Sequence, residues 1–395
     1  MGPQSDGVRR RETPTRHLVT APGDPPRVLL ASSYDWPSTY RTVRMLAQAG
    51  LRVEVLADPG FLVGRSRAVA RAHPARQPTI VADLEALLAR ERFDWVIVAD
   101  DTLFGALARL ANPWWIRPWF PVAPGSTAAE FVRSKIAFAD GCGTLGLPVP
   151  AYRRVGSATE ALEAAAAFGF PAIGKTAHGF GGNAVRRLDD AAAVRSWWTG
   201  VRGPAIVQRF VSGRYATTEM LFARGRLLAY VTSLRTNYWP TPLSAATTRE
   251  IIDLPAMRAI AERLGEHTRF DGLCGIDYII DENGDPHLSE LNPRPTPGYG
   301  VRADVTALFA AAVRERLAGV AREPVTIARS SGPMHHFPEA LSFAATERTI
   351  DAAFGALESL RRLPFDEPRL AWRFAMRALR DGATVHAHRK RSRVS

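Results

Sequence analysis

Residues 274–294 read CGIDYIIDENGDPHLSELNPR, and the pattern of these residues is the strongest indication of the fold. The apolar run Cys274–Ile280 predicts a strand, and Asp281–Asp285 is rich in Asp, Asn and Gly, which are residues typical of tight turns. Pro286–Leu291 alternates apolar and polar residues and predicts the returning strand. The sequence therefore predicts an antiparallel hairpin that ends in a polar string.

Three side chains of this hairpin are candidate metal ligands. Side chains alternate along a strand, so Glu290 and Asn292 lie on one face, and a hairpin register can bring Asp277 beside them. Two carboxylates and an amide oxygen suit Mg2+ that also bridges nucleotide phosphates. Arg294 follows and can bind a phosphate or carboxylate with two hydrogen bonds. The alternative is an exposed hairpin with surface acids, but the Glu-x-Asn-Pro-Arg string favours the metal site.

A second polar feature lies about one hundred residues upstream. Lys175 ends a short apolar strand that begins at Ala172, and the loop His178–Asn183 follows with three glycines. Glycine lets backbone amides approach phosphate oxygens, and the lysine adds positive charge. No Gly-Lys-Ser/Thr follows the glycines, so this is not a P-loop. Taken alone, the loop is better explained as a hairpin turn.

The segment 27–120 alternates strands and helices at short intervals. This alternation predicts a parallel, Rossmann-like sheet covered by helices, and the absence of Gly-x-Gly-x-x-Gly argues against a dinucleotide site. Asp100 and Asp101 end one of its strands, where they either hold an amine or cap the next helix. Predicted strands cover 27–31, 51–56 and 94–99, and predicted helices cover 38–50 and 82–92.

Between Lys135 and Arg294 the order of these features resembles the ATP-grasp superfamily. Lys135, inside a helix predicted over 127–145 and followed by Gly-Leu-Pro-Val-Pro, is similar to the first ATP-binding lysine of that family. Lys175 is similar to the second lysine, and residues 208–213 (QRFVSG) are similar to the hinge that receives adenine. Three departures stand out: Gln208 where Glu is usual, Thr176 where Pro often follows the lysine, and a loose spacing before Glu219.

The resemblance implies a two-subdomain ATP-grasp fold of the α+β class behind the N-terminal sheet. It also implies a ligase that uses ATP and Mg2+ to convert a carboxylate into an acyl phosphate, releasing ADP, for attack by an amine. Arg294 and Lys175 would be catalytic, with Arg235 as a further candidate, and the metal ligands would be Asp277, Glu290 and Asn292. The nucleotide-binding set would be Lys135, Lys175, His178, Gly179, Gly181, Gly182, Gln208, Phe210, Val211 and Glu219.

A protein that binds ATP without chemistry, as a regulatory or interaction module, is the alternative. The presence of both lysines and all three metal ligands favours the enzyme. Tyr299 and Arg302, just past the metal strand, are candidates for the acceptor pocket. The expected organisation is a disordered tail (1–26), the sheet domain (27–120), a small ATP-grasp subdomain (121–204), the metal-binding subdomain (205–320) and a helical extension (321–395), with 112–125 as a linker.

The composition makes some partners and locations less expected. The net charge of +12 raises the question of nucleic acid, yet arginines are scattered along the chain, so nucleic-acid binding is not expected. No apolar run is long enough to cross a bilayer, and the polar N-terminus lacks the apolar stretch of a secretory signal. Two distant cysteines, Cys142 and Cys274, indicate a reducing compartment, which predicts a cytoplasmic protein. Homo-oligomerisation stays open.

Overall fold

The computed structural model describes residues 24–110, 113–179, 184–241, 244–320, 322–327, 332–362, 364 and 366–392. Its strands are β1 (Arg27–Ala31), β2 (Arg52–Ala57), β3 (Arg71–Pro74), β4 (Trp95–Val98), β5 (Tyr152–Val155), β6 (Ala172–Thr176), β7 (Val185–Leu188), β8 (Ala205–Arg209), β9 (Arg214–Ala223), β10 (Arg226–Trp239), β11 (Ala245–Ile251), β12 (Gly272–Ile280), β13 (Pro286–Asn292), β14 (Val325–Thr326) and β15 (Met334–His335). Its α-helices are α1 (Pro37–Gln48), α2 (Ile80–Arg90), α3 (Asp101–Ala108), α4 (Thr127–Arg133), α5 (Lys135–Thr144), α6 (Ala158–Phe168), α7 (Ala191–Thr199), α8 (Ala256–Thr268), α9 (Ala303–Ala318), α10 (Glu339–Glu347), α11 (Ile350–Leu360) and α12 (Pro368–Ser392).

The N-terminal sheet is parallel, in the order β3-β2-β1-β4, as the strand–helix alternation predicts. Its two central strands, β1 and β2, are buried on both faces along all but their first residue, the pattern expected when helices cover a parallel sheet. Asp100 accepts a hydrogen bond from the Leu103 amide (2.9 Å) and so caps α3. Of the two roles open to Asp100, the structure supports the helix cap.

A small antiparallel sheet, in the order β5-β8-β6-β7, carries Lys175 on its central strand β6. Strand β8 pairs with β5 and β6, so it belongs to this sheet and not to the larger one. The boundary expected at residue 204 therefore lies beyond Arg209. The reason is that pairing partners, which the local sequence does not reveal, decide to which sheet a strand belongs.

The large sheet has the order β13-β12-β9-β10-β11-β15, with β14 beside β10. The expected hairpin is present as β12 and β13, in a register that pairs Asp277 with Glu290 and Gly275 with Asn292. The register shifts immediately after Asp277, because Tyr278 pairs with Leu288 and Ser289 is thereby the extra residue of a β-bulge. This hairpin edge faces the small sheet across a cleft.

Two expectations about the segment between the sheets are wrong. The helix expected over 127–145 is two helices, because the Ser134 side chain accepts a hydrogen bond from the Ala137 amide (3.3 Å) and starts a new helix at Lys135. The expected linker 112–125 is packed into the core through Trp115, Ile116 and Phe120, although residues 111 and 112 lie outside the described residues. The high proline content correctly indicated an irregular backbone, but it did not indicate that the segment is exposed to solvent.

The C-terminal extension is helical, with α10, α11 and α12 packed around a small cluster that includes Tyr40 and Phe374. Arg41 of α1 pairs with Glu339 of α10 (2.7 Å), which joins the extension to the N-terminal domain. In the part of the chain that is described, no helix is both long and apolar enough to span a membrane.

Candidate active site

A cavity of about 430 Å³ lies between the small sheet and the hairpin edge of the large sheet. Both predicted lysines and all three predicted metal ligands line it, although they come from four different elements: α5, β6, β12 and β13. Lys135 Nζ lies 2.6 Å from Glu290 Oε2, and Lys175 Nζ donates to Ser289 Oγ at 3.1 Å. The two lysines and the acidic hairpin thus converge on one space.

Lys135 owes its position to the break between α4 and α5. Its backbone amide donates to the Ala177 carbonyl (2.9 Å), which ties the start of α5 to the strand end just beyond Lys175. Its ammonium group also donates to the Gly179 carbonyl at 2.6 Å. The lysine therefore connects the base of the glycine loop with the acidic hairpin.

Charges in the cleft shift one another's pKa. Burial lowers the pKa of Lys175 to about 8; Glu290 raises it in part, and Lys135 lowers it further. Burial alone would raise the pKa of Glu290, but Lys135 and Lys175 hold that pKa below its usual value. Lys175 thus carries a proton that it releases easily, in a cleft where added negative charge would stabilise the protonated form.

The three candidate metal ligands form one cluster of polar side chains on β12 and β13, in which the Asn292 oxygen accepts from Arg294. Asp277 Oδ1 accepts from Thr217 (2.5 Å), while its Oδ2 faces Asn292 Nδ2 at 3.4 Å and Arg235 Nη1 at 3.1 Å. Glu290 sits directly across the ladder from Asp277. Two carboxylates and an amide within one cluster match the hard oxygen donors that Mg2+ prefers, so the residues present fit this ion.

Arg294 connects the metal cluster to the N-terminal domain. Its Nη2 donates to Asn292 Oδ1 (3.1 Å), and its Nε donates to Asp101 at 2.7 Å. The guanidinium also lies over the Trp36 ring, 4.9 Å from the centroid. Asp101 holds an arginine and not a substrate amine in this structure. No local pattern indicates this pair, because 193 residues separate its members.

The hinge residues line the other end of the cavity. Gln208, Phe210 and Val211 all contribute to its wall. Gln208 is buried and donates to the Pro150 carbonyl at 3.3 Å, so its side chain is partly engaged by the protein. The Arg187 guanidinium lies 4.9 Å from the Phe210 ring and covers one side of it. The apolar side chains of Phe210 and Val211 at this end suit a flat heterocycle.

The glycine loop is described only at its start. Gly179 has a φ of 137°, and a Cβ there would lie 2.6 Å from the Ala184 Cβ, so the backbone needs glycine at this position. His178 faces Arg133, 3.2 Å from its Nη1, and lines a neighbouring cavity of about 270 Å³. Gly181 and Gly182 lie outside the described residues.

Three of the suggested ligand contacts point elsewhere. Glu219 is 1% exposed and pairs with the buried Arg249 (3.0 Å), so its carboxylate stabilises the sheet and does not face the cavity. Tyr299 is fully buried and donates to a backbone carbonyl of β9, that of Met220 (2.6 Å), so it does not line an acceptor pocket. Arg302 pairs with Asp304 in the first turn of α9. Partners distant in the chain explain the positions of Glu219 and Tyr299, whereas Arg302 is held by a local pair.

Sequence reasoning also missed contacts. Ser289 received no role, yet it is the hydrogen-bond partner of Lys175. The aromatic residues Trp36, Tyr238 and Trp239 line the cavity from two separate domains, and nothing in their local patterns indicates this position. Arg235, a weaker candidate from the sequence, is 12% exposed and points at Asp277.

Comparisons with known proteins agree with this geometry. A family model described as an ATP-grasp domain matches residues 132–298. The formate-dependent phosphoribosylglycinamide formyltransferase of Xanthomonas oryzae pv. oryzae is 29% identical over 168 residues, which are 38% of this chain and 40% of that protein. The chain thus spans about two fifths of the length of this relative. Residues 132–298 are thus similar to an ATP-grasp domain, and the resemblance found in the sequence is confirmed.

Two solved structures share the fold over most of this chain. The biotin carboxylase domain of 2-oxoglutarate carboxylase from Hydrogenobacter thermophilus, a complex with MgADP, ADP and bicarbonate, aligns with a TM-score of 0.61 and 14% identity over 78% of this chain and 73% of that one. Phosphoribosylamine–glycine ligase from Thermotoga maritima aligns with a TM-score of 0.60 and 18% identity over 78% of both chains. The predicted fold, a parallel-sheet domain ahead of an ATP-grasp domain, is confirmed.

Proposed function

We propose that this protein is an ADP-forming, ATP-dependent ligase that activates a small-molecule carboxylate as an acyl phosphate and passes it to an amine. The single observation that carries the proposal is the convergence of Lys135, Lys175, Asp277, Glu290 and Asn292 on one cavity. The similarity of the domain to ATP-grasp enzymes supports the same reading.

The charge of the cleft suits a nucleotide triphosphate with its metal. Lys135, Lys175, Arg235 and Arg294 lie around Asp277 and Glu290, and this excess of positive charge suits the negative charge of MgATP. Asp277, Glu290 and Asn292 would hold Mg2+, which supplies charge neutralisation at the phosphates when it is bound. Gln208, Phe210 and Val211 would receive the adenine, and the Gly179 backbone would lie near the phosphates.

The chain's own groups would serve the reaction by position and charge. A carboxylate oxygen of the substrate attacks the γ-phosphorus, the bond to the β–γ bridging oxygen breaks, and ADP leaves. Lys135 and Lys175 stabilise the charge on the transferring group, and Arg294 and Arg235 steady the carboxylate and then the acyl phosphate. An amine nitrogen then attacks the acyl carbon, phosphate leaves, and an amide forms after loss of a proton. No side chain acts as a covalent nucleophile.

The cellular setting follows from weaker observations. Cys142 and Cys274 are buried free thiols, which fits a reducing compartment, and we place the enzyme in the cytoplasm. We propose small molecules as its substrates, with no role for nucleic acid or membrane. The alternative, a nucleotide-binding regulatory protein without chemistry, would keep the same cleft but consume no ATP.

Hydroxylamine tests the proposal because it replaces the unknown amine and converts an acyl phosphate into a hydroxamate. Purified protein is incubated with MgATP, hydroxylamine and a panel of carboxylic acids, and hydroxamate, ADP and AMP are measured. We expect hydroxamate and ADP in equal amounts for at least one acid. Glu290→Gln should abolish this turnover, whereas Glu282→Gln, an exposed acid in the turn of the same hairpin, should not. AMP as product, or nucleotide binding without turnover, would contradict the proposal.

A further inference from the structure

The cavity continues beyond the metal cluster into an aromatic chamber, which we define by Trp36, Tyr238, Trp239 and Pro240. Two arginines form the boundary between the two parts. Arg294 contacts Asn292 on one side and lies 4.9 Å from the Trp36 ring centroid, while Arg235 contacts Asp277 and lies 5.5 Å from the Tyr238 centroid. A carboxylate held by these two guanidinium groups would therefore have its organic part in the chamber.

The polar atoms of Tyr238 and Trp239 are turned toward the protein. Tyr238 donates its hydroxyl hydrogen to the Arg235 carbonyl (2.7 Å), and Trp239 Nε1 donates to Thr346 at 2.8 Å. Burial raises the pKa of Tyr238 to about 12, so this phenol stays neutral at working pH. The rings are thereby anchored with their apolar surfaces available, and such surfaces favour hydrocarbon and aromatic groups.

The described residues that line the cavity offer no free carboxylate for an ammonium group. Asp277 is paired with Arg235, and Glu290 is paired with Lys135. The third acid, Glu339, accepts two hydrogen bonds from Arg41, at 3.0 and 2.7 Å. A substrate with a charged α-amine would lose its hydration there without gaining an anionic partner, which disfavours binding.

From these observations we infer that the activated carboxylate belongs to an apolar acid with a hydrocarbon group of about aromatic size and no free α-amine. This inference rests on the proposed function, because it assigns the class of acyl donor to the same cleft. The hydroxamate step and the release of ADP are those already described, with only the acyl group specified.

A matched set of acids tests the inference. 3-Phenylpropanoate is the apolar probe, L-phenylalanine adds only the α-amine, and acetate lacks the ring. Binding of each acid is measured by calorimetry in the presence of MgADP, and kcat/KM is measured with MgATP and hydroxylamine. We expect 3-phenylpropanoate to exceed both other acids by roughly tenfold or more in kcat/KM. Trp36→Ala should lower the ratio of 3-phenylpropanoate to acetate by roughly tenfold.

Two further variants separate the chamber from general damage. Trp36→Phe keeps a ring beside Arg294 and should keep most of the preference, and Trp114→Ala, at a tryptophan that is 72% exposed and outside the cavity lining, should leave the ratio unchanged. Hydroxamate formed best from L-phenylalanine or acetate would overturn the inference and leave the proposed function standing. If MgADP binds but no acid is bound or consumed, the proposed function fails together with the inference.

Discussion

Lys175 offers a sharp test of the cleft, because it is expected to destabilise the free protein and to be essential for nucleotide binding. Burial lowers its pKa from 10.5 to about 8. At pH 7 both the folded and the unfolded chain hold the proton, so this shift means that the charge costs the folded state about 3 kcal/mol. Lys175→Met keeps the length of the side chain and removes the charge. The free variant should therefore be more stable than the wild type by about 1–3 kcal/mol.

Nucleotide affinity should move in the opposite direction. A charge pair near 4 Å is worth up to about 4 kcal/mol at the effective dielectric constant that describes protein sites. Lys135 and two arginines remain near the phosphates and compensate part of the lost interaction energy. We therefore expect the binding free energy of MgATP to weaken by about 2–4 kcal/mol, or roughly 30- to 1000-fold in Kd. A variant that is damaged by general unfolding would not be more stable than the wild type and at the same time bind MgATP more weakly.

Urea unfolding and calorimetric titration with MgATP measure the two quantities. Arg195→Met, at an exposed cation on α7, is the control and should change stability by less than about 0.5 kcal/mol. If Lys175→Met lowered the free energy of unfolding by more than 1 kcal/mol, the proposed cost of burying this charge would be wrong. If its affinity for MgATP were unchanged, Lys175 would not contact the phosphates.

Three other variants test neighbouring parts of the argument. The affinity of the wild type for MgATP should fall as pH rises through about 8, where free Lys175 loses its proton, and Lys175→Arg should flatten this profile in titrations from pH 6.5 to 9.5. Glu290→Gln should lower the rate of ADP release by at least roughly 100-fold while the far-ultraviolet circular dichroism stays native, because the oxygen cluster and the partner of Lys135 are both impaired. Glu219→Ala should lower the free energy of unfolding by about 3–5 kcal/mol, measured in urea, since Arg249 would be left buried without its carboxylate. A stable Glu219→Ala protein with weakened nucleotide binding would instead indicate that Glu219 contacts the nucleotide.

The sequence was sufficient where function depends on short-range order. Alternation along a strand placed Glu290 and Asn292 on one face, and a turn of five residues brought Asp277 close to them, although the pairing of Asp277 with Glu290 depends on the bulge at Ser289. Lys175 could be placed because its strand ends at a glycine loop. Each of these inferences uses fewer than about 25 neighbouring residues, which is the range over which periodicity and turn chemistry act.

What escaped prediction depends on partners that are distant in the chain. Glu219 is a residue type that can contact a ligand, but it forms an ion pair with Arg249 of another strand. Asp101 was open between two roles until Arg294 was placed beside it. Lys135 lies in a helix, as predicted, yet its exact position depends on the Ser134 cap that starts α5. Packing decides whether a helix continues through such a serine or begins anew after it.

The bulge in β13 explains how two neighbouring residues can serve two different lysines. In a regular strand, side chains next to each other point to opposite faces, so only one of Ser289 and Glu290 would reach the cleft. The additional residue breaks that alternation, and Lys175 meets Ser289 while Lys135 meets Glu290. Shortening β13 by one residue would restore regular pairing, and one of the two lysines would lose its partner on this strand. The bulge therefore allows both lysines to be held by neighbouring residues of one strand.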